Sequence, residues 1–86
     1  MEHRDTVILK KVLSELRVAQ EMLGSSSFAD FESNEMLKRA ICMTVINIGE
    51  LVKNLSDDCR RANRAIPWKE IAGFRDIAAH KYQTLR

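Results

Sequence analysis

The feature that most constrains this chain is a long run of apolar residues at helical spacing between Ser33 and Leu55. A repeat close to 3.5 residues places them along one side of a helix about 33–35 Å long and favours packing against a nearly antiparallel neighbour. Asn47 and Glu50 lie beside this stripe, and each either makes a structural hydrogen bond or faces solvent. The stripe itself contains Leu37, Ala40, Ile41, Thr44, Ile48, Leu51, Val52 and Leu55.

Two further helices are predicted on either side of this one. The first runs from about Arg4 to Leu23, where Gly24 is placed to end it and Ser25 to Ser27 form a loop. Its apolar stripe contains Leu9, Val12, Leu13, Leu16, Ala19 and Leu23. Asp57 to Ala65 form a polar, strongly charged connector, for which a short helical turn stays open as an alternative. The other helix then starts at Ile66-Pro67-Trp68, because proline suits a first helical position. Trp68 is interpreted as a core anchor rather than a base-stacking platform.

The sequence therefore predicts one all-α domain over residues 1–86, an antiparallel helical bundle. No strand pattern appears. Three helices leave one side of such a bundle without cover, so a fourth helix is missing or a second chain supplies it by dimerisation. A chain of 86 residues buries only about 60–65% of its unfolded surface, which also favours oligomerisation.

Net charge, cysteine spacing and hydropathy show which kinds of partner and which cellular location the sequence allows. The net charge of +2 is small, although residues 57–86 carry seven Lys or Arg against four Asp or Glu. That surplus is compatible with a phosphate backbone or with an ordinary solvated surface. Cys42 and Cys59 form no metal-binding spacing, and Cys42 is expected to be a small buried hydrophobe. No signal peptide or membrane span is recognised, so a cytoplasmic protein without membrane contact is expected.

One set of residues near the C-terminus has catalytic chemistry. Arg75, His80 and Tyr82 form R-x-x-x-x-H-x-Y, with Asp76 directly after the arginine. Histidine exchanges protons near neutral pH, and arginine stabilises charge that develops on a phosphate, as metal-free RNA cleavage requires. On an ideal helix, however, His80 lies about 140° from Arg75. Either the helix ends or bends near His80, or two symmetry-related helices pool their residues. The alternative is a surface charge network with an Asp76–His80 hydrogen bond.

Three segments resemble the HepT-like family of HEPN-domain toxins and together cover roughly residues 28–82. Arg39-Ala40-Ile41 with Ile46-Asn47-Ile48-Gly49-Glu50-Leu51 is similar to the family's RAI…IGE segment. Residues 66–76, which begin Ile-Pro-Trp, resemble its PW.EI.G.RN segment, and Ala79-His80-Lys81-Tyr82 resembles the end of its motif.

The resemblance implies a dimeric helical bundle with the motif arginine and histidine in a cleft at the dimer interface. It implies a metal-independent endoribonuclease toxin, without a cofactor, that cleaves RNA and pairs with a nucleotidyltransferase antitoxin. In this interpretation Arg75 stabilises the phosphate, His80 is the acid or base, and Tyr82 accepts AMP from the antitoxin. AMP would block RNA by bulk and charge.

The sequence departs from the family pattern at two places. Asp76 replaces the usual asparagine, and it either orients His80 and raises its pKa or repels RNA. Family members usually continue past the tyrosine into another helix, whereas this chain stops four residues after Tyr82. Two other functions therefore stay open. One is a non-catalytic helical adaptor that binds a nucleotidyltransferase, and the other is a truncated remnant that only dimerises.

Overall fold

The computed structural model describes the backbone of residues 2–84 and the side chains of residues 2–80. Residues 2–84 form five helices: α1 (His3–Leu23), α2 (Phe28–Ser33), α3 (Glu35–Lys53), α4 (Asp57–Ala62) and α5 (Trp68–Thr84). No strand occurs within residues 2–84. The predicted all-α class is confirmed, with five helices where three were expected. Within the same range, no helix combines the length and apolar character that crossing a membrane requires.

The two long N-terminal helices agree with the apolar periodicity. Gly24 ends α1 as predicted, with a φ of 51° that L-residues rarely adopt, and its N–H donates to the Gln20 carbonyl at 2.9 Å. Helix α3 begins two residues later than predicted and ends two residues earlier. Its start is fixed by Asn34, whose side-chain oxygen accepts a hydrogen bond from the Leu37 N–H at 3.0 Å.

Helix α2 was not predicted, and α4 was left open as a short helical turn, because six residues are too few for a readable apolar period. Ser27, predicted as loop, instead caps α2 in a reciprocal pair of hydrogen bonds with Asp30, each 3.1 Å long. The connector after α3 forms helix α4, and the Ser56 hydroxyl caps it by accepting from the Cys59 N–H at 3.1 Å. Both helices are therefore specified by their caps.

Helix α3 is the centre of the bundle, because α1, α2 and α5 all pack against it. Ile8, Val52, Leu55 and Cys59 form the buried core cluster, and Trp68 packs against it. The indole Nε1 of Trp68 donates to the backbone carbonyls of Arg60 and Asn63, both at 3.1 Å. This agrees with the interpretation of Trp68 as a core anchor.

The apolar stripe predicted for α1 was wrong at two positions. Leu13 and Leu16 are each 47% exposed, and the buried face of α1 instead includes Asp5 and Ile8. Asp5 is only 1% exposed. Its carboxylate accepts hydrogen bonds from the backbone N–H and the hydroxyl of Ser56, at 2.9 and 2.6 Å. These bonds fix the start of α1 to the start of α4, and the apolar period gave no sign of them.

Helix α5 starts one residue after the proline. The Pro67 carbonyl accepts from the Ile71 N–H at 3.0 Å, so Pro67 caps the helix rather than occupying its first turn. Further along, the Cys42 thiol on α3 donates to the Ala78 carbonyl on α5 at 3.2 Å. Cys42, expected to be buried, is partly exposed. The α3–α5 contact places the C-terminal motif against the middle of the bundle.

Candidate active site

The side chain of Arg75 lies across α3 at a glycine. A Cβ atom added to Gly49 would collide with both Cβ and Cγ of Arg75, and Gly49 is itself buried. Those two carbons belong to the stem of the arginine, close to the α5 backbone, so the stem cannot swing away without a shift of the helix. The absence of a side chain at position 49 is therefore what lets α5 approach α3 at Arg75.

Two carboxylates hold the guanidinium of Arg75. Its Nη2 donates to Oε1 of Glu50 on α3, and its Nη1 donates to Oδ1 of Asp76 at 2.8 Å. The Arg75 side chain is 27% exposed, against 44% for Glu50 and 70% for Asp76. The Nε atom is buried and has no hydrogen-bond partner. Two of the five N–H donors are thus occupied, and the outer carboxylate is the more accessible to solvent.

Glu50 was predicted either to make a structural hydrogen bond or to face solvent, and the contact with Arg75 agrees with the first possibility. Asn47, the other residue considered beside the α3 stripe, is exposed. Sequence reasoning did not identify Arg75 as the partner of Glu50, because the two residues are 25 positions apart. The available signal was Glu50 itself, an ionisable residue that follows a glycine beside the apolar stripe of α3, together with an arginine on another helix for which no carboxylate partner had been predicted on α3.

His80 is exposed on α5, and the helix continues past it to Thr84. The possibility that the helix ends near His80 is therefore excluded. Asp76 pairs with Arg75, and no hydrogen bond joins Asp76 to His80 among the residues that the structure describes. The alternative of a surface charge network therefore lacks its Asp76–His80 hydrogen bond, whereas the Arg75–Asp76 ion pair of such a network is present. The side chain of Tyr82 lies outside the described residues.

Two open grooves border this region. One, of about 370 Å³, lies between α1 and α3 and shares Glu50 with the arginine site; its other lining residues are Lys11, Ser14, Glu15, Asn47 and Leu51. The second, of about 360 Å³, is almost entirely apolar and is lined by Val45, Ile48, Glu70, Ile71 and Phe74. Phe74 and Ile77 on α5 are 59% and 60% exposed. The arginine site thus has a polar groove beside it and an apolar surface on the same helix.

The reaction expected from Arg75 and His80 uses no metal. Within residues 2–80, no three His, Cys, Asp or Glu side chains are grouped so as to hold a metal ion. Whether the reaction is metal-independent depends on the chemistry of the two side chains and stays a prediction.

Comparison with known proteins gives the family. A family model described as "Ribonuclease HepT-like" matches residues 12–86. "Putative RNase TTE0752" of Caldanaerobacter subterraneus subsp. tengcongensis is 40% identical over 74 residues, which are 86% of this chain and 66% of that protein. "Probable ribonuclease HepT" of Thermococcus cleftensis is 30% identical over 80 residues, 93% of this chain and 71% of that protein. The chain therefore spans about two thirds of the length of these relatives. No solved structure matches it.

Proposed function

The chain belongs to the HepT-like ribonuclease family, and on this premise we propose that it is a metal-independent endoribonuclease, the toxin of a HEPN and nucleotidyltransferase pair. The observation that carries the proposal is the arginine site on α5. Arg75 is half-buried and held by carboxylates, and His80 follows it on the same helix with its imidazole exposed to solvent. A fixed guanidinium and an accessible imidazole are the two groups that metal-free RNA cleavage needs.

The proposed reaction is an internal attack within RNA. The ribose 2′-hydroxyl attacks the neighbouring phosphorus, the bond from phosphorus to the 5′-oxygen breaks, and a 2′,3′-cyclic phosphate and a 5′-hydroxyl result. Histidine accepts the proton of the 2′-hydroxyl and supplies a proton to the leaving 5′-oxygen, so no net proton is gained or lost in the reaction. Arg75 donates its free N–H groups to the phosphate oxygens, where negative charge develops in the transition state.

We propose a homodimer as the active form. Helix α5 is continuous through His80, so Arg75 and His80 of one chain point about 140° apart on an ideal helix. A two-fold axis near α5 would let two copies present both residue types to one phosphate. The apolar groove lies between α3 and α5, and Phe74 and Ile77 are exposed on α5. Large exposed apolar patches are typical of interaction surfaces.

Tyr82 is the proposed site of control. Tyr82 follows Arg75 by seven residues on α5, and positions i and i+7 share a face on an ideal helix. AMP attached to its hydroxyl by a nucleotidyltransferase partner would therefore add bulk and negative charge on the face of α5 that carries Arg75. RNA, itself a polyanion, would then be repelled from the site. Incubation with ATP and the partner enzyme, followed by intact mass measurement of wild type and Tyr82→Phe, tests this step: only the wild type should gain one AMP.

The activity itself is tested by cleavage of labelled RNA in EDTA. Wild type should cleave, whereas Arg75→Ala and His80→Ala should lose at least about 100-fold in rate, as removal of an acid–base or charge-stabilising group typically does. His3→Ala is the matched control, because His3 is the other histidine and is exposed at the start of α1. If folded wild type without AMP on Tyr82 cleaves nothing, the adaptor that only binds a nucleotidyltransferase becomes the better interpretation.

A further inference from the structure

The strongest unassigned feature is the ion pair between Glu50 and Arg75. It joins two helices, whereas the pairs Lys38–Glu35, Arg60–Asp57 and Arg61–Asp58 each lie within one helix at i, i+3 spacing. Arg75–Asp76 joins adjacent residues. Among the described side chains, Glu50 is therefore the carboxylate that another helix brings to the arginine.

Gly49 and Glu50 act on different parts of the same side chain, and we refer to these two residues as the arginine seat. Gly49 leaves room for the stem of Arg75, and the Glu50 carboxylate accepts a hydrogen bond from its head. Because α3 is the central helix of the bundle, the seat belongs to the part of the molecule with the most packing around it. A long flexible side chain is thereby fixed at both ends before any substrate arrives.

We propose that Glu50 is a positioning residue for Arg75, which rests on the ribonuclease function proposed above. Glu50 is partly shielded and occupies one N–H of Nη2, so each terminal nitrogen still has a free N–H for phosphate oxygens. Asp76, at 70% exposure, is the carboxylate that an incoming phosphate can displace. Fixing a charged group in advance speeds a reaction because the orientation need not be acquired in the transition state.

The test compares Glu50→Ala, Glu50→Gln and the matched control Glu35→Gln, which removes the carboxylate of an exposed pair on the same helix. Glu50→Ala is expected to lose about 10–100-fold in kcat on RNA, with a smaller change in KM, because a misdirected guanidinium affects the transition state more than binding. Glu50→Gln keeps an oxygen acceptor and should fall between Glu50→Ala and wild type. Glu35→Gln should match wild type, and circular dichroism establishes that each variant is folded.

A second readout does not depend on activity. The guanidinium signals of Arg75 in a ¹⁵N NMR spectrum, assigned by their loss in Arg75→Lys, report how strongly the group is held. In Glu50→Ala they should shift and exchange faster with water, while Glu35→Gln leaves them unchanged. This readout also covers Glu50→Ala if its stability falls, because Glu50→Gln should show the same change at lower amplitude.

The outcomes separate the two proposals. Loss of kcat together with loss of the held Arg75 signal supports the positioning role. Wild-type or higher kcat in folded Glu50→Ala overturns it, and an increase would mean that the carboxylate restrains the arginine rather than prepares it. If wild type does not cleave RNA, the ribonuclease proposal fails by itself. Arg75 signals that are the same in wild type and Glu50→Ala would then overturn the seat as well.

Discussion

Replacing Gly49 by alanine should leave the protein less stable than the same change at Gly73 does. Both residues lie inside helices, where alanine is favoured over glycine by about 1 kcal/mol. A Cβ at position 73 meets nothing within 4 Å, so Gly73→Ala should gain that amount. A Cβ at position 49 collides with the stem of Arg75, and such overpacking typically costs about 1–3 kcal/mol.

Because the helix-propensity gain is shared, the difference between the two variants isolates the collision. It should amount to about 1–3 kcal/mol in the free energy of unfolding. For a domain of this size, 1 kcal/mol corresponds to about 4–8 °C in Tm, so the two variants should melt roughly 4–24 °C apart. Thermal and urea unfolding followed by circular dichroism at 222 nm give both quantities. A Gly49→Ala variant as stable as Gly73→Ala would refute the close approach of Arg75 to α3.

Three other predictions concern the core, the acid range and the dimer. Trp68→Phe removes the donor to the Arg60 and Asn63 carbonyls and should cost about 1–3 kcal/mol in urea unfolding; an unchanged midpoint would contradict the anchoring role. Hydrogen bonds from the Ser56 hydroxyl and, to a smaller extent, its backbone N–H lower the pKa of Asp5 below the ordinary 3.8. The contribution of Asp5 to the free energy of unfolding is therefore present above pH 3.8 and is lost as the pH falls through the lower pKa of the folded state. Asp5→Asn should reduce the dependence of the unfolding free energy on pH in the acid range, and the same dependence as in wild type would contradict this. Phe74→Glu should convert the proposed dimer into monomer in sedimentation velocity, unlike Phe28→Glu on α2; a persistent dimer would place the interface elsewhere.

Local patterns in the sequence predicted the long elements of the fold. Helices α1 and α3 were recognised because each carries an apolar period over about 20 residues, and the end of α1 followed from Gly24. Helices α2 and α4 are too short for an apolar period, so α2 was predicted as loop and α4 was left open as a short helical turn. Ser27 and Ser56 are of a residue type typical of helix starts, but the neighbouring Ser25 and Ser26 are equally so, and the sequence alone does not choose among them.

Local sequence patterns could not predict which residues pair with the buried Asp5 or with Arg75 of the proposed site. Asp5 binds Ser56 across 51 positions and Glu50 binds Arg75 across 25, and such contacts depend on how the helices pack. The same limit explains Leu13 and Leu16, which fit the helical period of α1 but lie outside the face that α3 covers. The composition of the proposed site was readable from the motif, whereas its arrangement required the fold.

The most direct test of the central claim is the chemistry of the RNA ends produced in EDTA. Wild type should leave 2′,3′-cyclic phosphate and 5′-hydroxyl ends, identified by mass spectrometry of a short defined RNA, and His80→Ala should produce neither. Cleavage that requires added Mg²⁺ and leaves 5′-phosphate ends would contradict the account, because a histidine–arginine reaction through the 2′-hydroxyl cannot give that product.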